Sequence, residues 1–445
     1  MAIARCCCMS RFTRASLATL IFLPGEAAAH AFGERYDLPL PLSLWLAAAG
    51  LAVALSFVVF ALALHPGASY RQFSLLRIPP LLVGALRAVS VGVFFVLIAA
   101  GLFGTQDPFR NFAPAFVWIA WWIGFTYLCA VFGDLWTLLN PWKVIRPKGL
   151  LELPAAIGAW PAVALLLAFA WIEIVWQGNA VPANIAWLAL GYSLLTWTGM
   201  LLFGAEAWLR SGEVFTVYFG FIARLAPIEV EANGELHLRA PGAGLLDPRP
   251  VSTPEALFVI VMLAIVTFDG LRETPLWAVS DAHWTAAATI GLLAMPCMFA
   301  LVIFGVCALM GNASPGELLR LFVPTLLPIA LAYHVAHYLS YLLVAGQVVI
   351  PLASDPLGRG WNLFGTAHYR IAAGIVGARF AWYASVVAIV AGHVLAMYVA
   401  HRLALARFPE RRSARRSQYP LAALMVGYTM LSLWILAQPI VETNR

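Results

Sequence analysis

The chain has 445 residues, of which 62% are hydrophobic and 11% charged, and its formal net charge is +6. A soluble domain carries about 25% charged residues and stops enlarging its core at about 250–300 residues, so a soluble globule is excluded and lipid must serve as part of the solvent. Only helices or closed barrels span lipid; the apolar stretches run about 20 residues without alternation and therefore read as helices, while the positive excess sits in short loops and speaks for membrane orientation, not for nucleic-acid binding.

Residues 1–29 read as a signal peptide: Arg11 and Arg14 form the positive region, Leu17 to Leu23 a short apolar core, and Ala27-Ala28-Ala29 a small-residue cleavage site. Met9 serves equally well as the start, which would leave Cys6-Cys7-Cys8 without a structural role. The remaining cysteines, Cys129, Cys297 and Cys307, lie inside apolar stretches, so no disulfide framework is expected. Cleavage after Ala29 makes His30 the first mature residue, able to offer an amino group and an imidazole to one metal ion; cleavage after Ala31 is allowed about equally and destroys that site.

An all-α bundle of about ten spans is expected in the remainder, residues 30–445. The spans lie near 42–64, 82–104, 113–133, 154–176, 183–204, 254–268, 284–310, 319–346, 376–402 and 419–440. Arg71, Arg77, Lys143, Arg146, Lys148 and the arginines between 402 and 416 fall on one side of this arrangement, the cytoplasm by the positive-inside rule. Arg359 and Arg370 dissent. Both chain ends then lie outside the cytoplasm.

One cytoplasmic insertion runs over about 206–253. Its stretch from Val214 to Ala226 is aromatic with a single Arg224, which predicts an interfacial helix. Alternating residues on both sides of Asn233-Gly234 predict a β-hairpin, with His237 in the ribbon and not a ligand. The tetrapeptide Leu-Phe-Gly-Thr occurs at 102–105 and again at 363–366, both outside.

Ionisable groups at membrane depth are costly and mark function. His334 and His337 lie at i and i+3, so both imidazoles share one helix face. Counted from Arg320, His334 sits about 20 Å along its helix, in the outer half of the bilayer. Glu173 lies near the outer end of its span. Asp269 and Glu273 would share a face, with Arg272 beside them, if their helix persists to Thr274; Asp281 and His283 follow. A hydrolytic metal centre needs about three protein ligands, an open position for water and a carboxylate to take a proton. His334, His337 and His30 are the candidate ligands of a divalent ion, zinc or copper, and Asp269 or Glu273 the candidate base. Hydrogen bonding between helices is the competing reading for the two histidines, and helix capping with an Arg272 ion pair for the carboxylates. His393, alone beside Gly392, reads as a packed hydrogen-bonder. The seventeen tryptophans form an aromatic belt near span ends.

Six segments together resemble a family of bacterial integral-membrane proteins described as fenitrothion hydrolases: His30 to Leu42, Gly101 to Pro108, Gly133 to Trp142, Thr267 to Pro275, Ala332 to Tyr338 and Ser354 to Thr366. The resemblance spans nearly the whole chain after the signal. It implies hydrolysis of an aryl phosphorothioate triester and assigns no catalytic residues. The expected function is therefore a metal-dependent membrane hydrolase of an apolar phosphotriester-like small molecule that arrives through the lipid bilayer. The alternative is a non-enzymatic metal-handling or transport protein, or one subunit of a larger complex with a second membrane subunit.

Overall fold

The computed structural model describes residues 35–64, 72–231, 233–277, 283–311, 313–408 and 410–442. The expected signal peptide, His30, Arg71 and Asp281 lie outside the described residues. Among the described residues, nine helices are long and apolar enough to cross a membrane. The first three are α1 (Leu42–Ala63), α2 (Pro80–Phe103) and α3 (Phe112–Phe132). A 15-residue helix α4 (Trp160–Ile174) follows, then α5 (Pro182–Phe203) and the buried α6 (Val214–Ala223). The second half holds α7 (Thr253–Arg272), α8 (Trp284–Met310), α9 (Pro315–Ser354), α10 (Ala378–Arg407) and α11 (Arg411–Ile440). The chain is a polytopic membrane protein of the all-α class, and each expected span coincides with a helix. The fourth is shorter than expected: Gly158 sits at φ 44 and Pro161 opens the helix, so the helix begins only at Trp160. At 1.5 Å per residue α4 rises about 22 Å, less than the hydrocarbon core of about 30 Å.

Among the described residues, five short strands accompany the helices: β1 (Tyr36–Asp37), β2 (Phe73–Arg77), β3 (Ile228–Val230), β4 (Glu235–Leu238) and β5 (Val441–Glu442). The expected hairpin is β3–β4, with Gly234 at φ 86 in its turn. It is not alone. β2, expected as plain loop, pairs antiparallel with β4, so the sheet has three strands in the order β2-β4-β3. Glu229, on β3, helps to close the sheet: it accepts from Gln72 at 2.5 Å and pairs with Arg239 at 3.1 Å. β1 and β5 pair in parallel, Tyr36 opposite Val441. The bundle thus has a terminal face, carrying β1 and β5, and an opposite sheet face.

Burial grades the helices. In its most apolar window α7 is 78% buried and α2 only 6%, so α7 is the axis of the bundle and α2 a lipid-facing flank. Phe258, Val259, Leu263, Ala264 and Phe268 of α7 are buried among α4, α8, α9 and α11. The tightest helix pair is α9 with α10, where a Cβ on Gly392 would meet Ala332 Cβ at 2.3 Å and Pro328 O at 2.7 Å.

α6 corrects an expectation. It does not lie on the bundle surface but is inserted inside, against α3, α4 and α5, with Phe215, Phe219 and Tyr218 buried. The physical reason is in its sequence: Val214 to Ala223 has no charged residue on any side, and a helix apolar all round buries itself. On the terminal face, the loop after α9 folds onto the loop after α2. Thr105 N–H bonds Leu357 O at 2.9 Å, and Phe112 N–H bonds Pro356 O at 3.2 Å. The two Leu-Phe-Gly-Thr segments accordingly fall on one face. Arg359, a dissenter from the charge rule, is held here: its guanidinium donates to Phe103 O at 3.0 Å and lies 5.9 Å from the Trp361 ring.

Candidate functional site

α7 delivers the central carboxylate. Ser252 and Glu255 form a capping box at its start, and Glu273 caps its end, with its N–H on Gly270 O. The helix stops at Arg272, so Asp269 and Arg272 meet at i,i+3 while Glu273 stands just past the last turn. Arg272 lies 2.7 Å from Asp269 Oδ1. On the other oxygen, His337 Nε2 lies 3.0 Å from Oδ2, and the Tyr338 hydroxyl donates to the same atom. Asp269 and His337 are both buried. Beside ionised Asp269, His337 donates through Nε2–H, which leaves Nδ1 as the basic nitrogen of its ring. Arg272 also reaches Ile174 O at the end of α4 at 3.4 Å and lies 5.6 Å from the Trp284 ring, so α4, α7, α8 and α9 are tied together at this level. Glu273 is close enough to act electrostatically on both Arg272 and His337.

His334 occupies the same helix face one turn earlier. Its ring and that of His337 flank Tyr338, with centroids at 4.8 and 4.5 Å. Tyr127 of α3 donates to His334 O at 3.0 Å and stands 3.3 Å from Nδ1. His334 Nε2 is buried and makes no hydrogen bond among the described residues. Glu173 Oε2, at the end of α4, is in the same condition. The structure therefore brings His334, His337 and Asp269 together in the bundle interior near the terminal face, with Glu273 at their edge. His283 is the N-cap residue of α8, and the His393 ring is bonded to Ile389 O of its own helix at 2.8 Å.

As a metal centre this set fits in part. The imidazole nitrogen of His334 would be satisfied by a divalent ion. Asp269 is a poor ligand as placed, because Arg272, His337 and Tyr338 already occupy both of its oxygens. Among the described residues, one group of three side chains has its donor atoms all within 4.8 Å of one another: Glu231, Glu235 and His237 of the hairpin, with Glu231 exposed. The arrangement around Asp269 has the form of an acid–base pair with a fixed counter-cation.

Sequence reading missed Glu213, which is completely buried. Its carboxylate accepts from Phe215 N at 2.9 Å, Thr216 N at 2.8 Å, Tyr192 OH at 2.5 Å and Trp136 Nε1 at 3.3 Å, and so caps α6 inside the bundle. The signal was present, since an acidic residue immediately before a charge-free run is an N-cap. Glu213→Ala is expected to lower stability by roughly 2–4 kcal/mol, combining a lost cap with lost charge-assisted hydrogen bonds. Detergent-solubilised protein unfolded with increasing SDS would measure it.

Beside the polar group, and separated from it by Trp122 and Phe169, lies an apolar cleft of about 570 Å³ bounded by α2, α3, α4, α5 and α6. Trp122 and Phe169 stack edge to face at 4.6 Å, and the His334 ring lies 6.4 Å behind Trp122. The cleft wall on α3 belongs to an eleven-residue π-helical stretch, Ala115–Phe125, a rare conformation that recurs at functional sites. Compared with known proteins, the chain matches no protein family, no curated protein and no solved structure.

Proposed function

We propose that the chain is a membrane-embedded hydrolase of an apolar phosphotriester-like substrate. We assign the terminal face to the periplasm of a bacterial inner membrane, following the arginine asymmetry. The observation that carries the reading is the buried Asp269–His337 contact at 3.0 Å inside a membrane bundle. An acid–base pair at this depth has a cost that chemistry explains better than packing does. The resemblance to the fenitrothion hydrolase family supports the same class of substrate.

In the reaction, a water adds to phosphorus and the bond from phosphorus to the leaving oxygen breaks. His337 takes the proton of the water and returns it to the leaving oxygen. Asp269 holds the imidazole in one tautomer and balances the imidazolium that forms. Arg272 faces the other oxygen of Asp269 as its counter-cation, and Tyr338 fixes the carboxylate in position. If a divalent ion, zinc or copper, were bound through His334 and His337, it would supply a water of pKa near 7, His337 Nδ1 would be a ligand, and the proton would pass to Asp269 or Glu273 instead. His337→Asn is expected to lower the turnover of a neutral aryl phosphotriester by about 10²–10⁴, the usual range for a general base. Phe258→Leu, away from the site, serves as the control. Equal turnover in both variants would refute the assignment. Elemental analysis of purified protein tests the ion: a stoichiometric metal lost in His334→Asn supports it, and metal-free active protein refutes it.

A second reading, a non-enzymatic metal-handling protein or a subunit of a larger membrane complex, draws on His334 Nε2 and Glu173 Oε2, two buried atoms with no partner among the described residues. Metal uptake by proteoliposomes without any triester hydrolysis would favour it.

A further inference from the structure

We infer that the aromatic cleft is a binding site for a neutral, ring-bearing apolar molecule that enters sideways from the membrane. This inference stands on the cleft alone and holds whether or not the Asp269 group is hydrolytic.

The cleft has no charged residue in its lining, so an anionic headgroup, a free carboxylate or an ammonium group has nothing to pair with there. Five of its polar side chains are also engaged elsewhere. Trp118 donates to Asn179 O at 3.0 Å, Trp142 to Ser193 Oγ at 2.9 Å and Trp136 to Glu213 at 3.3 Å. Tyr192 gives its hydroxyl to Glu213 at 2.5 Å, and Asn184 gives its amide to Gly178 O at 3.0 Å. These groups present rings, not donors, to the interior. Faces and edges of indole and phenyl rings select another ring, in offset or edge-to-face contact, over a chain of methylenes. A volume of about 570 Å³ lies in the range of about 300–1,000 Å³ of small-molecule pockets.

The entrance can be located. Near the terminal face α2 and α5 touch: a Cβ on Gly101 would meet Ala186 Cβ and Pro182 O, both at 2.6 Å. Farther along, Ser90 of α2 and Gly191 of α5 both line the cleft, and a Cβ on Gly191 would meet nothing within 4 Å. Trp187 and Leu195 on the same lip are 64% and 42% exposed on the lipid-facing flank. A small residue is thus kept where the helices part. The mouth is a lateral one, at membrane depth.

Benzophenone, a neutral two-ring photolabel, tests this on full-length protein in nanodiscs. The expected result is labelling concentrated on peptides containing Trp118, Trp121, Phe169 and Trp187, suppressed by biphenyl but not by hexadecane at the same mole fraction. Gly191→Leu adds a side chain at the mouth, where a Cβ meets nothing within 4 Å, and should cut that labelling about tenfold, the effect of removing about 1.4 kcal/mol of binding, with its unfolding transition unchanged. Ser90→Leu on the opposite lip should act alike, and serves if Gly191→Leu does not fold. Equal suppression by hexadecane would make the cleft an acyl-chain crevice and overturn the inference. Labelling spread evenly over lipid-facing helices, or unchanged in both lip variants, would overturn it as well.

Discussion

Asp269→Asn is expected to be among the most destabilising single substitutions in the chain, lowering the free energy of unfolding by roughly 3–5 kcal/mol. The variant keeps the shape of the side chain but removes the charge that faces Arg272 at 2.7 Å. Arg272 is 22% exposed along its side chain; its other contacts are Ile174 O and the Trp284 ring, and Glu273 also acts on it electrostatically. A guanidinium deprived of its directly bonded carboxylate in that position drives the loss. The double variant Asp269→Asn, Arg272→Met removes both charges and should recover most of it, because replacing a whole buried pair by apolar groups is often neutral. SDS unfolding of the two variants side by side decides the point. A single variant as stable as the parent would mean that Asp269 and Arg272 are not an ion pair in the folded bundle. Asp269→Asn should also lose the tautomer control of His337, so the double variant regains stability without regaining turnover.

Gly392→Leu is expected to cost about 3 kcal/mol, at the upper end for overpacking, and to disturb the site from a distance. Ala332 and Pro328, the atoms it would strike, lie on α9 within six residues of His334. Pro328 contributes a backbone carbonyl, which cannot rotate away as a side chain would. α10 must therefore lift off α9, and the imidazoles move with α9. The control is Gly305→Leu in α8, where a Cβ would meet nothing within 4 Å; it should be close to neutral. A Gly392→Leu variant with the parent's SDS transition would show that the α9–α10 seam is looser than described.

The spans were legible because lipid enforces a rule with few exceptions: about 20 apolar residues must occur together. The β3–β4 turn was legible because Asn233-Gly234 suits a backbone that bends with positive φ. β2 was not, since Phe73 to Arg77 is only five residues long and borrows its partner from the insertion far along the chain. The place of α6 is not legible from its aromatic richness, which suggests an interfacial helix; the decisive feature is the lack of any polar face. Helical spacing put His334 and His337 on one face. The partners of that face were harder to find. Tyr127 reaches His334 across 207 positions and Asp269 reaches His337 across 68, and contacts between helices leave no periodic trace in a single sequence. The ion pair of Asp269 with Arg272 was legible as the competing reading of the carboxylates, since i,i+3 spacing on a helix allows it.

The pairing of β1 with β5 bears on how the chain is made. Tyr36 leaves the ribosome about 400 residues before Val441, so their hydrogen bonds close only when every helix between them has been threaded. One helix left out would put the two strands on opposite sides of the bilayer, beyond each other's reach. The small parallel ladder therefore works as a parity check on membrane insertion: it forms when the number of crossings is even and fails to form when it is odd.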